Sequence, residues 1–234
     1  MWIAATYQST SLFSLKPATA TASGGRTLLV PTPYAVKMAL LDVACRLIGQ
    51  AAAGEAWDAW LGNSRVALRP VNDVVVNNTF IRILRPPKRP EPGQPFQRTI
   101  AYREYAQLAG DLGIAVEVEA DAQAETLTRW FAHINYLGKR GSFMQLQQVP
   151  RIMDGLPKGW LIPAEPLADG FMLDALLTQL DDTGDKATFE VVNIYSSKRI
   201  AMGKQRVLHH VALPYERVRS SRGYTHYRLK SQEE

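Results

Sequence analysis

The sequence predicts an α+β protein: a ferredoxin-like (RRM-like) βαββαβ unit over residues 1–150, with a projecting β-hairpin at about 78–105, then a smaller β-rich region over 151–234. Three observations carry this expectation. Strand-like and helix-like periodicities alternate as β–α–β, then β–α–β, through the first 150 residues. A proline-rich segment, Pro86-Pro87-Lys88-Arg89-Pro90-Glu91-Pro92-Gly93-Gln94-Pro95, interrupts them between two apolar, basic strands. Beyond Gly159 the patterns are short and mostly strand-like.

Trp2 to Leu15 is rich in β-branched and aromatic residues and reads as the first strand. Lys16 to Arg26 is small and polar and reads as a flexible loop. Pro31-Thr32-Pro33 starts a helix, with proline where first turns accept it. Val36, Ala39, Leu40, Val43, Ala44, Leu47 and Ile48 then mark its buried face. Gly54 to Leu61, with Trp57 and Trp60, reads as a short amphipathic turn. Arg65–Pro70 and Val74–Leu84 read as strands, with Asn77-Asn78 a possible turn or bulge in the second. The proline-rich segment suits neither helix nor central strand, so Phe80–Arg85 and Gln97–Tyr105 pair as a hairpin with a stiff tip. Strand Ile114–Ala120, helix Ala122–Leu137 and strand Ser142–Val149 complete the first unit. Further on, a short helix is expected near Leu173 to Leu180, with strands at Thr188–Tyr195, Gln205–Leu213 and Tyr224–Leu229.

With 234 residues the chain is long enough to bury a core, and its net charge is +5. The charge is unevenly spread. Arg82 to Arg103 holds six cations and one acid, and Lys198 to Lys230 holds nine cations and one acid. Glu104 to Glu125 holds six acids and no cation, and Asp169 to Glu190 holds six acids and one cation. Such segregation along the chain predicts a basic face, which points to nucleic acid because no basic amphipathic helix is visible. The single Cys45 excludes an internal disulfide and a cysteine-rich zinc site, and its apolar helical setting reads as a buried thiol. The N-terminus lacks a signal-peptide pattern, and no apolar run approaches the ~20 residues of a membrane span, so the sequence reads as cytoplasmic.

Asn135-Tyr136-Leu137-Gly138-Lys139-Arg140-Gly141-Ser142-Phe143 is the most informative stretch. A glycine-bracketed cation pair offers permissive backbone, free N–H groups and two charges to a phosphate. Ordinary helix C-capping accounts for the same residues. Candidate phosphate contacts are Lys139 and Arg140 with Gly141 and Ser142, then Arg82, Arg85, Lys88, Arg89 and Arg98 on the hairpin. Tyr102, Phe96 and Tyr195 are candidates for base stacking. Lys198, Arg199, Lys204 and Arg206 form a second basic region.

The first helix with its Pro-Thr-Pro-Tyr-Ala-Val-Lys-Met-Ala-Leu-Leu run, the Asn77-Asn78-Thr79-Phe80-Ile81-Arg82-Ile83-Leu84-Arg85-Pro86 hairpin and the Lys139-Arg140 loop together resemble the CRISPR-associated RAMP superfamily. Within it they resemble the thumb-bearing subunit of type I Cascade-like complexes that binds the 5′ handle. The resemblance implies a non-catalytic subunit that caps the 5′ handle of a CRISPR RNA in antiviral defence. It also implies contacts with backbone and large subunits, target DNA through the assembled complex, and no cofactor or metal. It adds Asn77 and Asn78 to the RNA-binding candidates.

Members of that superfamily that cut precursor RNA are expected to carry a Tyr with an adjacent Lys-His pair, and none of His133, His209, His210 or His226 follows a lysine. His133 reads as a packed helical residue. His209 and His210 must face opposite sides of a strand. His226, beside Arg222 and Arg228, is the least dismissible. Asp181-Asp182 and Glu117/Glu119 read as solvated surface, and no phosphate-binding or dinucleotide fingerprint is present. The alternatives are a CRISPR repeat RNA-processing endoribonuclease, or an RRM-like RNA-binding protein outside CRISPR.

Overall fold

The computed structural model describes residues 1–20, 25–89, 92–93, 95–166 and 175–230. The protein is a mixed α+β structure built on antiparallel sheets. In chain order its elements are β1 (Trp2–Ser9), α1 (Pro33–Ile48), α2 (Gln50–Ala59), a 3₁₀ turn (Leu61–Asn63), β2 (Val66–Arg69), β3 (Asp73–Arg85), β4 (Gln97–Ala109), β5 (Leu112–Glu117) and α3 (Asp121–Phe131). There follow β6 (Met144–Leu146), β7 (Arg151–Met153), β8 (Leu176–Thr183), α4 (Phe189–Val192), β9 (Arg206–Leu213), β10 (Tyr215–Ser220) and β11 (Tyr224–Leu229).

The central sheet has the order β2-β5-β1-β6, with β7 pairing β1 beside β6. Its odd-numbered β1 residues Ile3, Ala5 and Tyr7, with Ile114, Val116, Val66 and Leu68, pack into the main core with α1 and α3. The reverse face is covered at the Trp2 end. Trp2, Ala67 and Ala115 are buried there beneath Met153, Leu156, Trp160 and Ile162.

Local chemistry explains the helix boundaries. The Thr32 hydroxyl accepts the Ala35 N–H and Pro33 opens α1, as read from the sequence. The expected turn at Gly54–Leu61 is instead the end of α2, with Trp57 buried against the Ala187 carbonyl that its indole N–H reaches at 2.6 Å. Helix α3 stops at Phe131, six residues short of the expected Leu137. There the buried Tyr7 hydroxyl donates to the Phe131 carbonyl at 2.7 Å. Past it, Asn135 and Leu137 turn to pair with the chain returning from residue 142.

Other expectations are corrected. The first strand ends at Ser9, although Phe13 still bridges Ala106 of β4. Asn77-Asn78 is neither turn nor bulge, because β3 and β4 keep one unbroken register from Asp73↔Ala109 to Arg85↔Gln97. The strand expected over Ser142–Val149 shrinks to β6. Leu176–Thr183 is a strand, not part of a helix near Leu173–Leu180, since β9 pairs with it throughout; residues 173 and 174 lie outside the described residues. Thr188–Tyr195 is not a strand: the Asp58 carboxylate accepts the Phe189 N–H at 2.7 Å and starts the short helix α4. β10 was not anticipated from the sequence. Parts of the polar loop at 16–26 and of the proline-rich tip (residues 21–24, 90, 91 and 94) lie outside the described residues.

The acidic pair expected at the surface is interior. Asp182 is 4% exposed and meets Lys37 of α1, itself 2% exposed, at 2.7 Å. Lys37 also donates to Thr183 Oγ1 at 2.7 Å and to the Gly62 carbonyl at 3.1 Å, which uses all three ammonium protons. Burial pulls the Lys37 ammonium below the usual lysine range, against the opposing pull of Asp182. Neighbouring Asp181 is held by Arg206 at 2.6 Å. The Lys37–Asp182 pair fastens the β8–β9 ribbon to the first helix, and Asp181–Arg206 ties β8 to β9 within it. At the other end the buried Tyr215 hydroxyl donates to the Val71 carbonyl at 2.7 Å.

Lys37→Met leaves Asp182 buried without its cation and lowers unfolding free energy by about 3–5 kcal/mol. Lys37→Met combined with Asp182→Leu recovers most of that loss. Urea unfolding of the parent and both variants decides it: a double variant no more stable than the single one refutes the account.

Candidate nucleic-acid interface

The β3–β4 hairpin organises the candidate residues. In the second sheet, of order β10-β11-β3-β4, the core-facing row Val74, Val76, Ala106 and Leu108 is buried at the root. Alternation carries that row outward to Phe80, Arg82 and Leu84 on β3, opposite Tyr102, Ile100 and Arg98 on β4. Here it has left the core: Phe80 is 74% and Ile100 69% exposed. Phe80 and Tyr102 meet edge-on with centroids 5.5 Å apart. Arg82, Arg85, Lys88, Arg89 and Arg98 are all exposed along this outer half. The sequence therefore placed five cations on one hairpin.

The Lys139-Arg140 loop is not a helix terminus. It is the tip of a small turn closed by the Tyr136↔Phe143 bridge, eight residues past the end of α3. That disposes of the capping explanation. Gly138 and Gly141 take φ of +73° and +105°, which other residues rarely adopt, and a Cβ at Gly138 would strike Leu15. Ser142 is buried and tied to the chain at Ser14: its hydroxyl accepts the Ser14 N–H at 3.0 Å. Its N–H donates to the Lys139 carbonyl, so it holds the loop and leaves no N–H for a phosphate. The Gly141 carbonyl accepts from Ser11 Oγ. Lys139 and Arg140 remain exposed at the tip.

The loop brings cations together from three parts of the chain. Lys139 Nζ lies 5.6 Å from the Tyr105 ring centroid of β4. Lys16 sits close enough that desolvation first, then the Arg103 and Lys139 charges, hold its ammonium below the usual lysine range. Neither Lys16 nor Arg103 was singled out in this role from the sequence, because their approach to Lys139 depends on how 11–16, β4 and the loop meet. Like charges gathered this way make a place for an anion.

The remaining candidates fare unequally. Asn77 lies in β3 between β4 and β11, and the Asn78 amide donates to the Arg222 carbonyl. Tyr102 donates its hydroxyl to Glu104 at 2.9 Å. Phe96 and Tyr195 are exposed. Arg199 and Lys204 are exposed, whereas Lys198 pairs with Glu190, and Arg206 is held between Asp181 and the Tyr34 ring at 4.2 Å.

The histidines separate as well. His133 is exposed beyond the end of α3, not packed within it. His209 and His210 alternate along β9 opposite Leu180 and Gln179. His226 Nε2 lies 2.6 Å from Asp73 Oδ1, which Arg228 Nε also reaches at 3.1 Å. That trio clamps β11 to the hairpin root. Cys45 is half-buried, and burial raises its thiol pKa. Among the described residues no cluster of three or more His, Cys, Asp or Glu is arranged to hold a metal, and no helix is long and apolar enough to cross a membrane.

The hydrogen bond from His226, more than the Arg228 charge, holds the Asp73 carboxyl below the usual carboxylate range. A carboxyl depressed on folding contributes stability above its unfolded pKa of about 3.9 and loses it as pH falls through the folded value. Asp73→Asn removes this contribution, so its melting temperature falls less than the parent's between neutral and strongly acidic pH. Parallel thermal melts across that range test the clamp; equal slopes would refute it.

Comparison with known proteins places these features in context. No protein-family model matches the chain. The chain is 24% identical over 203 residues to the CRISPR-associated protein Cas5 of Archaeoglobus fulgidus, covering 84% of this chain and 86% of that protein. An alignment of that length extends well beyond the first 150 residues that carry the quoted motifs. Among solved structures, a chain of a CRISPR RNA-guided surveillance complex matches 91% of this chain and 90% of its own, at 15% identity and TM-score 0.48. A CRISPR protein from Archaeoglobus fulgidus matches 98% and 92%, at 10% identity and TM-score 0.42.

Proposed function

We propose that this chain is a Cas5-type RAMP subunit of a CRISPR RNA-guided effector complex. In this reading it binds the 5′ handle of the CRISPR RNA, does no chemistry on it, and acts in the cytoplasm. The single observation that carries the RNA-binding reading is the approach of Lys16 and Arg103 to Lys139 of the exposed Lys139-Arg140 loop, which itself lies against Tyr105 of a basic hairpin. The whole-length similarity to a Cas5 protein supports the CRISPR setting.

The fold supports this reading in two ways. The order β2-β5-β1-β6 with α1 and α3 on one face supports reading the core as a ferredoxin-like unit with β3–β4 inserted as a thumb. The open-sheet mode of a free-standing RRM-like binder is disfavoured, because Trp160 and its neighbours cover the face such a binder uses. RNA recognition then falls to the loop and thumb. Lys139 and Arg140 meet phosphates, and Arg82, Arg85, Lys88, Arg89 and Arg98 extend the path outward. Asn77, Asn78 and Tyr102 lie at the thumb root, while Arg199 and Lys204 offer a second contact. Phe80, Leu84, Ile100 and Phe96 are the apolar part of the thumb, to be covered by the neighbouring backbone and large subunits. Target DNA meets the assembled complex.

RNA that copurifies with the protein should share one repeat-derived 5′ end, which sequencing of those ends reads directly; a random population of ends refutes handle binding. Lys139→Glu with Arg140→Glu should weaken handle binding and flatten its dependence on salt, by about 0.7 in log–log slope for each phosphate no longer neutralised. Parental affinity and slope in that variant would remove the loop from the interface. The endoribonuclease alternative rests on His226 and Asp73, or on His209. Incubation of labelled repeat RNA in EDTA, with and without His226→Ala or His209→Ala, should leave its length unchanged in every case. Cleavage abolished by either substitution would make the protein an enzyme.

A further inference from the structure

The outer face of the hairpin sheet carries an aromatic row that complements the basic cluster. Asn77 of β3 pairs with Tyr105 of β4 on one side and Tyr224 of β11 on the other. Directly opposed residues share a face, so Tyr224, Asn77 and Tyr105 form one row across three adjacent strands. This face is the reverse of the one on which Val74, Val76, Ala106 and Leu108 enter the core. With strands about 4.8 Å apart, the two tyrosine positions lie about 10 Å from one another. Both residues are half-buried, so each ring is anchored yet accessible. Lys139 overhangs Tyr105, and Arg103 occupies the next position on the same face of β4.

We infer that Tyr105 and Tyr224 are a stacking platform for bases of single-stranded RNA, whose phosphates lie on Lys139, Arg103 and Lys16. The inference rests on the RNA-binding reading above and specifies where the bases go. Anchored aromatic rings beside a cationic track are the arrangement that holds single strands with little regard to base identity. On the central sheet, by contrast, α1 and α3 cover one face and Trp160 with its neighbours covers the Trp2 end of the other. Asn77, between the rings, supplies an amide to a base edge.

The test measures binding of a short fluorescein-labelled single-stranded RNA by anisotropy, together with an abasic version of the same strand. Tyr105→Leu and Tyr224→Leu should each weaken the normal strand by between about 5- and 100-fold and leave the abasic strand nearly unaffected. Tyr105→Phe and Tyr224→Phe, which keep the ring, should retain parental affinity. Thermal melts identify any variant that has merely unfolded, and for such a position the Phe variant and the abasic strand carry the comparison. Suppose Lys139→Glu/Arg140→Glu loses affinity while both Leu variants bind as the parent does, or the abasic strand binds as tightly as the normal one. The platform is then wrong and the RNA-binding reading survives. A parent protein that binds no RNA overturns both.

Discussion

Thirteen residue pairs in one register join β3 to β4, and only the root of that ladder lies over the core. Most of what is distinctive about this protein follows from that mismatch in length. A strand pair buried along one face must alternate apolar and polar residues, and this one continues to alternate after the core has ended. Its inner row accordingly carries Phe80 and Ile100 into the open beside Arg82 and Arg98. Its outer row carries Tyr105 and Arg103 past the cationic loop. Both rows therefore mix apolar and cationic side chains: Phe80 and Ile100 stand with Arg82 and Arg98 on one, and Ile81 and Ile83 with Arg85 and Arg103 on the other.

The outer half of this hairpin leaves the core, and polar contacts hold its root firmly. β11 lies against the root of β3, held by the Asp73–His226–Arg228 trio on the outer face and by the Tyr215 hydroxyl on the Val71 carbonyl nearby. β8 and β9 are fastened to α1 by Lys37–Asp182 and to Tyr34 by Arg206. Residues from both ends of the chain therefore share one core cluster, with Leu180, Val211 and Leu213 packed alongside Ile3 and Val36. Burying Lys37 with Asp182 is costly in desolvation, which good geometry and the added Thr183 and Gly62 contacts offset.

Charge reading from the sequence succeeded where side chains are exposed and failed where they are not. The six cations between Arg82 and Arg103 do map onto one hairpin, because alternation on a strand pair keeps neighbours in sequence near one another in space. Asp181 and Asp182 were read as solvated because charged residues are seldom buried without partners, and their partners Arg206 and Lys37 lie 25 and 145 positions away. Lys198 and Arg206 counted as available cations, yet each is spent on an acid brought to it by the fold.

What the sequence determined by itself is what depends on local chemistry. The Thr32-Pro33 start of α1, the alternation of β3, β4 and β9, and the glycines that let residues 138 and 141 adopt positive φ are all legible in a few consecutive residues. So were the cations of the loop. What tertiary structure alone decided is every feature that needs two distant segments. It ended α3 at Phe131 through the Tyr7 hydroxyl, and turned 188–195 into a helix start through Asp58. It made 176–183 a strand by giving it β9 as partner, and it set Lys16 and Arg103 beside Lys139. Propensity in a short segment is worth tenths of a kcal/mol per residue, whereas a satisfied buried hydrogen bond or a sheet partner contributes about 1 kcal/mol or more, so the distant contact wins wherever the two disagree.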